Sequence, residues 1–314
     1  MKLYIRLLWP QVKNKMTELK KHLLNYIDEN AITLDADMGK HTSFRCGGLA
    51  AMLVQPDSLA QLLAVLDVLR DEKSKFMVMG NGSNILFTEK GYDGVVVKVG
   101  KGMDRITCSG NTIYAESGIL LSALSKYALD QKLSGLEFAC GIPGSLGGAV
   151  FMNAGAYGGE MKNVVSMVSS INSYGIMKDR PADKLDLSYR HSIFMENGEI
   201  ILGVRLKLDE GLPGLIEAKM KENNQQRNSK QPVHLGSAGS FFKRPEGYFA
   251  GKLIEDAGLK GLTVGGAQVS KMHAGFIVNL GSAVPSDIIN LMAVVQETVL
   301  DKFGVKLEPE VRII

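Results

Sequence analysis

Cysteine is scarce here. The chain holds only Cys46, Cys108 and Cys140, an odd number with no pair close in sequence. That argues against a disulfide framework or a cysteine-based zinc site, and makes a reducing compartment, the cytoplasm, the expectation. No run approaches the ~20 apolar residues a membrane-spanning helix needs. The opening MKLYIRLLWPQVKNK is interrupted by Arg6 and Pro10 and lacks a small-residue cleavage site, so it is a poor signal peptide. Met16 offers an alternative start, with residues 1–15 as a loose extension. Net charge is only +3, which gives no argument for a nucleic-acid partner. No repeat at a solenoid period is visible.

What is present is an ordinary soluble balance, 45% hydrophobic and 22% charged over 314 residues, which fits two or three domains. Glycine is in excess: 35 residues, clustered, where an average chain has roughly 7%. Residues 17–28 read as a short amphipathic helix. Leu59, Leu62, Leu63, Leu66 and Leu69 recur at helical spacing after a capping Ser58, which predicts a helix over 58–72. FMVMG (76–80) and VVVKV (95–99) read as buried strands, and the first third alternates strand and helix. A loop at GLPG (211–214) precedes a polar helix, and a boundary falls there. The end, VKLEPEVRII, reads as one strand with Val305, Leu307, Val311 and Ile313 on one face and Glu308, Glu310 and Arg312 on the other.

Two glycine loops suggest ligand contact. GNGSN (Gly80, Asn81, Gly82, Ser83, Asn84) follows a strand, as loops that offer backbone N–H groups to phosphate do. It is neither a dinucleotide fingerprint, since Ile85 stands where the third glycine belongs, nor a Walker loop. GIPGSLGGAVFMNAGAYGG holds seven glycines between Gly141 and Gly159; backbone wrapped around a flat or phosphorylated ligand and a glycine-rich packing corner both remain open for it. A third stretch, GSAGSFFKRP, presents Ser240 as a hydrolytic nucleophile, part of a phosphate loop, or a proton donor. The hydrolase elbow GxSxG fits neither of its serines.

In order along the chain stand HTSFRCGG, GNGSNIL, GLEFACGIPGSLGGAVFMNAGAYGGE, LSYRHSIF, SKQP, GSAGSFFKRP, GYFAGKLIEDAGLKG, VSKMHAGFIVN and KFGVKLEPEVRII. This set resembles the bacterial UDP-N-acetylenolpyruvoylglucosamine reductase family of peptidoglycan precursor synthesis, in its shorter type without an inserted tyrosine loop. The resemblance covers nearly everything beyond residue 40. It implies an α+β protein: a two-subdomain FAD-binding fold of the vanillyl-alcohol-oxidase (PCMH) type plus a C-terminal α/β substrate domain. The implied divisions are 1–30 as N-terminal helix or extension, 31–100 and 101–210 as FAD-binding subdomains, 211–302 as substrate-binding domain, and 303–314 as a strand returning to the active site. FAD would be held by Gly80 to Asn84 and by Gly141, Ile142, Pro143, Gly144, Ser145, Gly147, Gly148, Asn153, Gly155, Ala156 and Tyr157.

The implied reaction reduces the enolpyruvyl ether of UDP-N-acetylglucosamine to the lactyl ether of UDP-N-acetylmuramate, with NADPH as reductant and hydride from reduced FAD. Hydride at the terminal carbon leaves charge beside the carboxylate, so the protein must polarise that carboxylate and protonate the carbon. Arg190 matches the family's catalytic arginine; a guanidinium forks onto a carboxylate and stays charged. Ser240 matches the proton donor, a weak acid facing a developing carbanion. Glu310 matches the catalytic glutamate. Tyr189, Arg227, Lys230, Arg244 and His273 would bind substrate. Arg244 stands where part of the family has asparagine. No metal is implied. The partners are the UDP-sugar and NADPH, and a monomer is compatible with the sequence. An alcohol oxidase or dehydrogenase of the same fold, and a nucleotide-sugar-binding relative without activity, are the alternatives.

Overall fold

Ser58 illustrates how local chemistry sets an element. Its hydroxyl accepts from the Gln61 N–H at 3.3 Å and caps the helix Leu59–Asp71. That helix buries Leu62, Val65, Leu66 and Leu69, one face at helical spacing. In the computed structural model, residues 2–314 are described, with side chains from residue 12 onward; most of the expected 1–15 extension therefore lies outside the described side chains. The helix expected over 17–28 is the last part of Lys2–Leu23. It stops short of Asp28, where Tyr26 N–H turns back to the Leu23 carbonyl and Ile27 enters the core.

The chain divides into two compact units. The first comprises residues 1–35, 51–81 and 93–225 and has two hydrophobic cores. One core surrounds a four-stranded sheet in the order Ile32–Asp37, Leu49–Val54, Tyr92–Lys98, Phe76–Met79. Phe76–Met79 runs parallel to Tyr92–Lys98, and the fully buried Val95, Val96 and Val97 form the continuous apolar run expected of such a strand. The other core lies against an antiparallel five-stranded sheet in the order Met177–Pro181, Val165–Ile171, Ile200–Lys207, Thr112–Glu116, Ile106–Ser109. Helix Leu121–Asp130 and the short helix Leu146–Phe151 contribute Leu121, Leu124, Leu146 and Val150 to it.

The second unit comprises residues 36–50, 82–92 and 226–314. A three-stranded sheet, Thr263–Val264, Ala267–Val269 and Ile277–Asn279, packs with helix Pro285–Phe303. Ile288, Leu291, Val295 and Val299 form that helix's buried stripe. The polar helix expected after GLPG is Pro213–Lys230, and the division between units falls inside it, after Gln225.

The terminal segment departs from expectation. Only Arg312–Ile313 is strand, parallel to Ile85–Leu86. Leu307 and Val311 are buried as the alternation predicts, but Ile313 is exposed. Pro309 has no N–H to give a continuous ladder. The chain instead changes partner: Lys243 N–H donates to the Glu308 carbonyl, Glu310 N–H to the Phe241 carbonyl, and Arg312 N–H to the Asn84 carbonyl.

Candidate active site

The two glycine loops meet within the first unit. Asn81 Nδ2 donates to the Pro143 carbonyl at 2.9 Å. A Cβ on Gly80 would overlap Ser145 Oγ, so glycine lets strand Phe76–Met79 turn this close to the second loop with that hydroxyl in place. That loop is stitched in turn to the segment after strand Thr112–Glu116: Leu121 N–H donates to Gly144 O, Leu146 N–H to Ile119 O, and Gly147 N–H to Ser117 O. Ser145 and Ser117 are buried, and their hydroxyls have no hydrogen-bond partner among the described residues. A buried polar group left so costs about 1–3 kcal/mol, a cost that a ligand able to hydrogen-bond there removes. Glycine-lined backbone joined to orphaned hydroxyls fits FAD. The residues that would hold it are those of the two loops, Gly80–Asn81 and Gly141 to Gly148. Ser117 was not visible as a site residue in the sequence; its only signal is a Ser-Gly pair at a strand-to-helix turn.

Beyond the helix Leu146–Phe151, Gly155–Ala156 pairs with Gly159–Glu160 as a hairpin. Its two-residue loop, Tyr157 and Gly158, has φ of 50° and 82°, the positive pair that tight hairpins require. Tyr157 is thus placed at the loop tip by backbone geometry. Asn153 is fully buried. Its Nδ2 donates to Glu160 Oε2 at 2.8 Å and to the Ser188 carbonyl at 2.9 Å, and its Oδ1 accepts from Lys162 N–H at 2.9 Å.

Tyr189 and Arg190 sit at the tip of a turn closed by reciprocal bonds between Ser188 and His191. Arg190 is half-buried with φ 55°, a left-handed conformation rarely given to a long side chain, and its guanidinium lies 5.1 Å from the centre of the Tyr189 ring. His191 Nε2 is 3.0 Å from Asp186 Oδ2 and 3.6 Å from Glu196 Oε1.

The other site residues lie in the second unit. Gly82 is buried, and Ser83 and Asn84 are half-buried. The HTSFRCGG stretch lies beside them, with Ser43 N–H donating to the Gly82 carbonyl. Burial, with Glu89 and Asp287 adding negative charge, pushes the Cys46 thiol in that stretch up to about 11, so it stays protonated at neutral pH. Ser240 is exposed and directly precedes the buried Phe241, whose carbonyl accepts from Glu310 N–H at 2.8 Å. Asn84 Nδ2 donates to the Glu310 carbonyl at 3.2 Å. Ser240, Glu310 and Asn84 are thereby drawn together from segments distant in sequence.

Among the substrate-binding candidates, Arg227 is half-buried and Lys230 exposed in the last turn of their helix. Arg244 lies over the Phe249 ring at 4.4 Å. His273 is half-buried; burial lowers its pKa, and its Nδ1 accepts from Gly275 N–H at 3.1 Å, leaving Nε2 as the donor of the neutral ring. Two further bases of this unit are paired, Lys243 with Glu308 and Lys252 with Asp256. No helix among the described residues is long and apolar enough to cross a membrane.

Two cores with joined glycine loops in one unit, and a sheet-and-helix core in the other, define an α+β FAD-binding protein with an added C-terminal domain. Residues 50–177 match the FAD binding domain family, and residues 231–314 match the UDP-N-acetylenolpyruvoylglucosamine reductase C-terminal domain. UDP-N-acetylenolpyruvoylglucosamine reductase of Alkaliphilus oremlandii is 46% identical over 301 residues, covering 95% of this chain and 99% of the relative. The reductase of Clostridium perfringens strain SM101 is likewise 46% identical, covering 96% and 99%. The crystal structure of the Thermus caldophilus reductase superposes with a TM-score of 0.77 at 34% identity, covering 90% of this chain and 97% of that one. The chain belongs to the UDP-N-acetylenolpyruvoylglucosamine reductase family.

Proposed function

We propose that this chain catalyses the FAD-dependent, NADPH-using reduction of UDP-N-acetyl-3-O-(1-carboxyvinyl)glucosamine to UDP-N-acetylmuramate. The end-to-end likeness to reductases of that name carries the proposal. When bound, FAD supplies the two-electron chemistry that links NADPH to the enolpyruvyl double bond. The chain's own residues do the rest. Arg190 forks onto the substrate carboxylate and stabilises charge that develops beside it. Ser240 Oγ gives its proton to the carbon next to that carboxylate. Glu310 acts as a protonated group or through Arg190 or a water, since a bare anion beside an enolate would oppose the reaction. The backbone bond from Glu310 N–H to Phe241 O supports placing Glu310 and Ser240 in one reaction.

Tyr189, Arg227, Lys230, Arg244 and His273 are proposed to receive the nucleotide sugar. His273 offers its Nε2–H, and the cations offer charge to the diphosphate. Residues 31–100 and 101–210 are proposed as the flavin-holding subdomains, 211–302 as the substrate domain, and 303–314 as the segment returning to the site. A cytoplasmic location belongs to the same proposal; no disulfide joins Cys46, Cys108 or Cys140.

The purified protein is expected to be yellow, to bleach with NADPH in the absence of air, and to recover its colour when the enolpyruvyl nucleotide sugar is added. Protein that is colourless and does not take up added FAD would sink the proposal. Recovery of colour with oxygen or another acceptor but never with the nucleotide sugar would favour an oxidase of the same fold.

A further inference from the structure

We infer that Asn153 is a positioning residue for the reaction: it holds the Ser188–His191 turn, and with it Arg190, at a set distance from the flavin-holding loop. This rests on the role proposed above for Arg190. An asparagine amide has two donor hydrogens, and both of Asn153's are taken by the protein, one by Glu160 Oε2 and one by the Ser188 carbonyl, so the side chain the sequence assigned to FAD has no donor left for it. Ser188 is the first residue of the turn. Just past its end, the fully buried Ser192 donates to the Phe151 carbonyl at 2.7 Å. Both ends of the turn are therefore tied to residues 151–153, immediately after the helix Leu146–Phe151. The other end of that helix follows Ser145, in the glycine loop. One six-residue helical piece, about 9 Å long at 1.5 Å per residue, thus carries the flavin loop at one end and the Arg190 turn at the other.

The turn needs such anchors. Arg190 at φ 55° holds a strained backbone conformation, which persists only where surrounding bonds over-determine it. The pairs His191 makes with Asp186 and Glu196 do not suffice: both carboxylates are exposed, and solvent-screened pairs of this kind contribute little. The buried bonds from Asn153 and Ser192 do. Asn153 itself has φ 42°, so the donor is in turn held in an uncommon conformation by its three bonds.

Asn153→Asp keeps the shape and the acceptor for Lys162 N–H. It sets a carboxylate against the Glu160 carboxylate, itself paired with Lys162, and against the Ser188 carbonyl. In flavin-loaded protein, oxidation of the reduced flavin by the enolpyruvyl substrate is expected to slow about 10- to 100-fold, the range that ~1 Å of misplacement can cost. Flavin content and reduction by NADPH should stay within about twofold. Tryptic cleavage after Arg190, a readout independent of turnover, should accelerate. Combined with Arg190→Lys, the two losses should not multiply, because both act through one guanidinium. Losses that multiply would overturn the proposal, as would loss of flavin in step with loss of rate. An Arg190→Lys protein with an intact oxidation step would overturn the Arg190 role, and the positioning role with it; that result is distinct from multiplicative losses. Ser192→Ala guards against misfolding of the first variant. It should slow the same step several-fold and expose the same tryptic site, and an unchanged rate and unchanged cleavage would count against the proposal.

Discussion

Ser240 presents a chemical problem at the scale of one residue. A hydroxyl is a poor acid, and the role proposed for it requires that the group it protonates be a strong base at the instant of transfer. Exposure on its own segment leaves the hydroxyl accessible, while the neighbouring Phe241 is fully buried, its N–H donating to the Gly275 carbonyl and its carbonyl accepting from Glu310 N–H. Ser240→Ala should lower turnover by at least ~10²-fold, since a positioned general acid contributes about 10²–10⁴. Flavin reduction by NADPH should be nearly unchanged in single-turnover measurements. If both half-reactions fall together, Ser240 is structural and the assignment fails.

At the scale of elements, the glycine loops do what neither does alone. Gly80 allows the end of strand Phe76–Met79 to come against Ser145, and Asn81 bonds to Pro143. Gly80→Ala would drive a methyl into Ser145 Oγ and turn that hydroxyl away. Flavin affinity should fall about tenfold, or ~1.4 kcal/mol, in a titration of FAD into the apoprotein. Ser145→Ala should give a similar loss, and the double variant should be no worse than either single one, because removing the hydroxyl also removes the clash. Additive losses would mean that the hydroxyl and the loop contact act separately.

For the molecule as a whole, acid stability has an identifiable contributor. Glu199 is buried and accepts from Arg180 at both oxygens and from Ser170 Oγ at 2.7 Å, tying the start of strand Ile200–Lys207 to its sheet. The Arg180 guanidinium holds its carboxyl below the ordinary 4.5 against the opposing effect of burial. A carboxylate lowered in the folded state contributes stability that is fully present above 4.5 and is lost as pH falls through its lowered value. Glu199→Gln should therefore cost about 1–3 kcal/mol near neutral pH. The gap from the parent protein should close on acidification, as read from urea midpoints between neutral pH and about 3. A gap independent of pH would show that packing, and not charge, is what the carboxylate supplies.

Periodicity and motif order reach far in this chain. The Ser58 cap, the leucine face after it and the apolar strand of Val95 to Val97 follow from local spacing, because capping and amphipathicity need only neighbours along the chain. The ordered motifs carried the family, and Arg190, Ser240 and Glu310 follow from it as proposals. Alternation over residues 305–313 misled, because a strand's partners are not written in its own residues: Pro309 breaks the ladder, and the chain passes from Phe241 to Asn84. Spacing alone could not join Gly80 to Ser145, leave Ser117 and Ser145 without partners, or show that Asn153 reaches Ser188. Local sequence decides which elements form. Only the tertiary structure decided which loops meet and which buried polar groups are satisfied, because those contacts join segments whose separation along the chain carries no record of their distance in space.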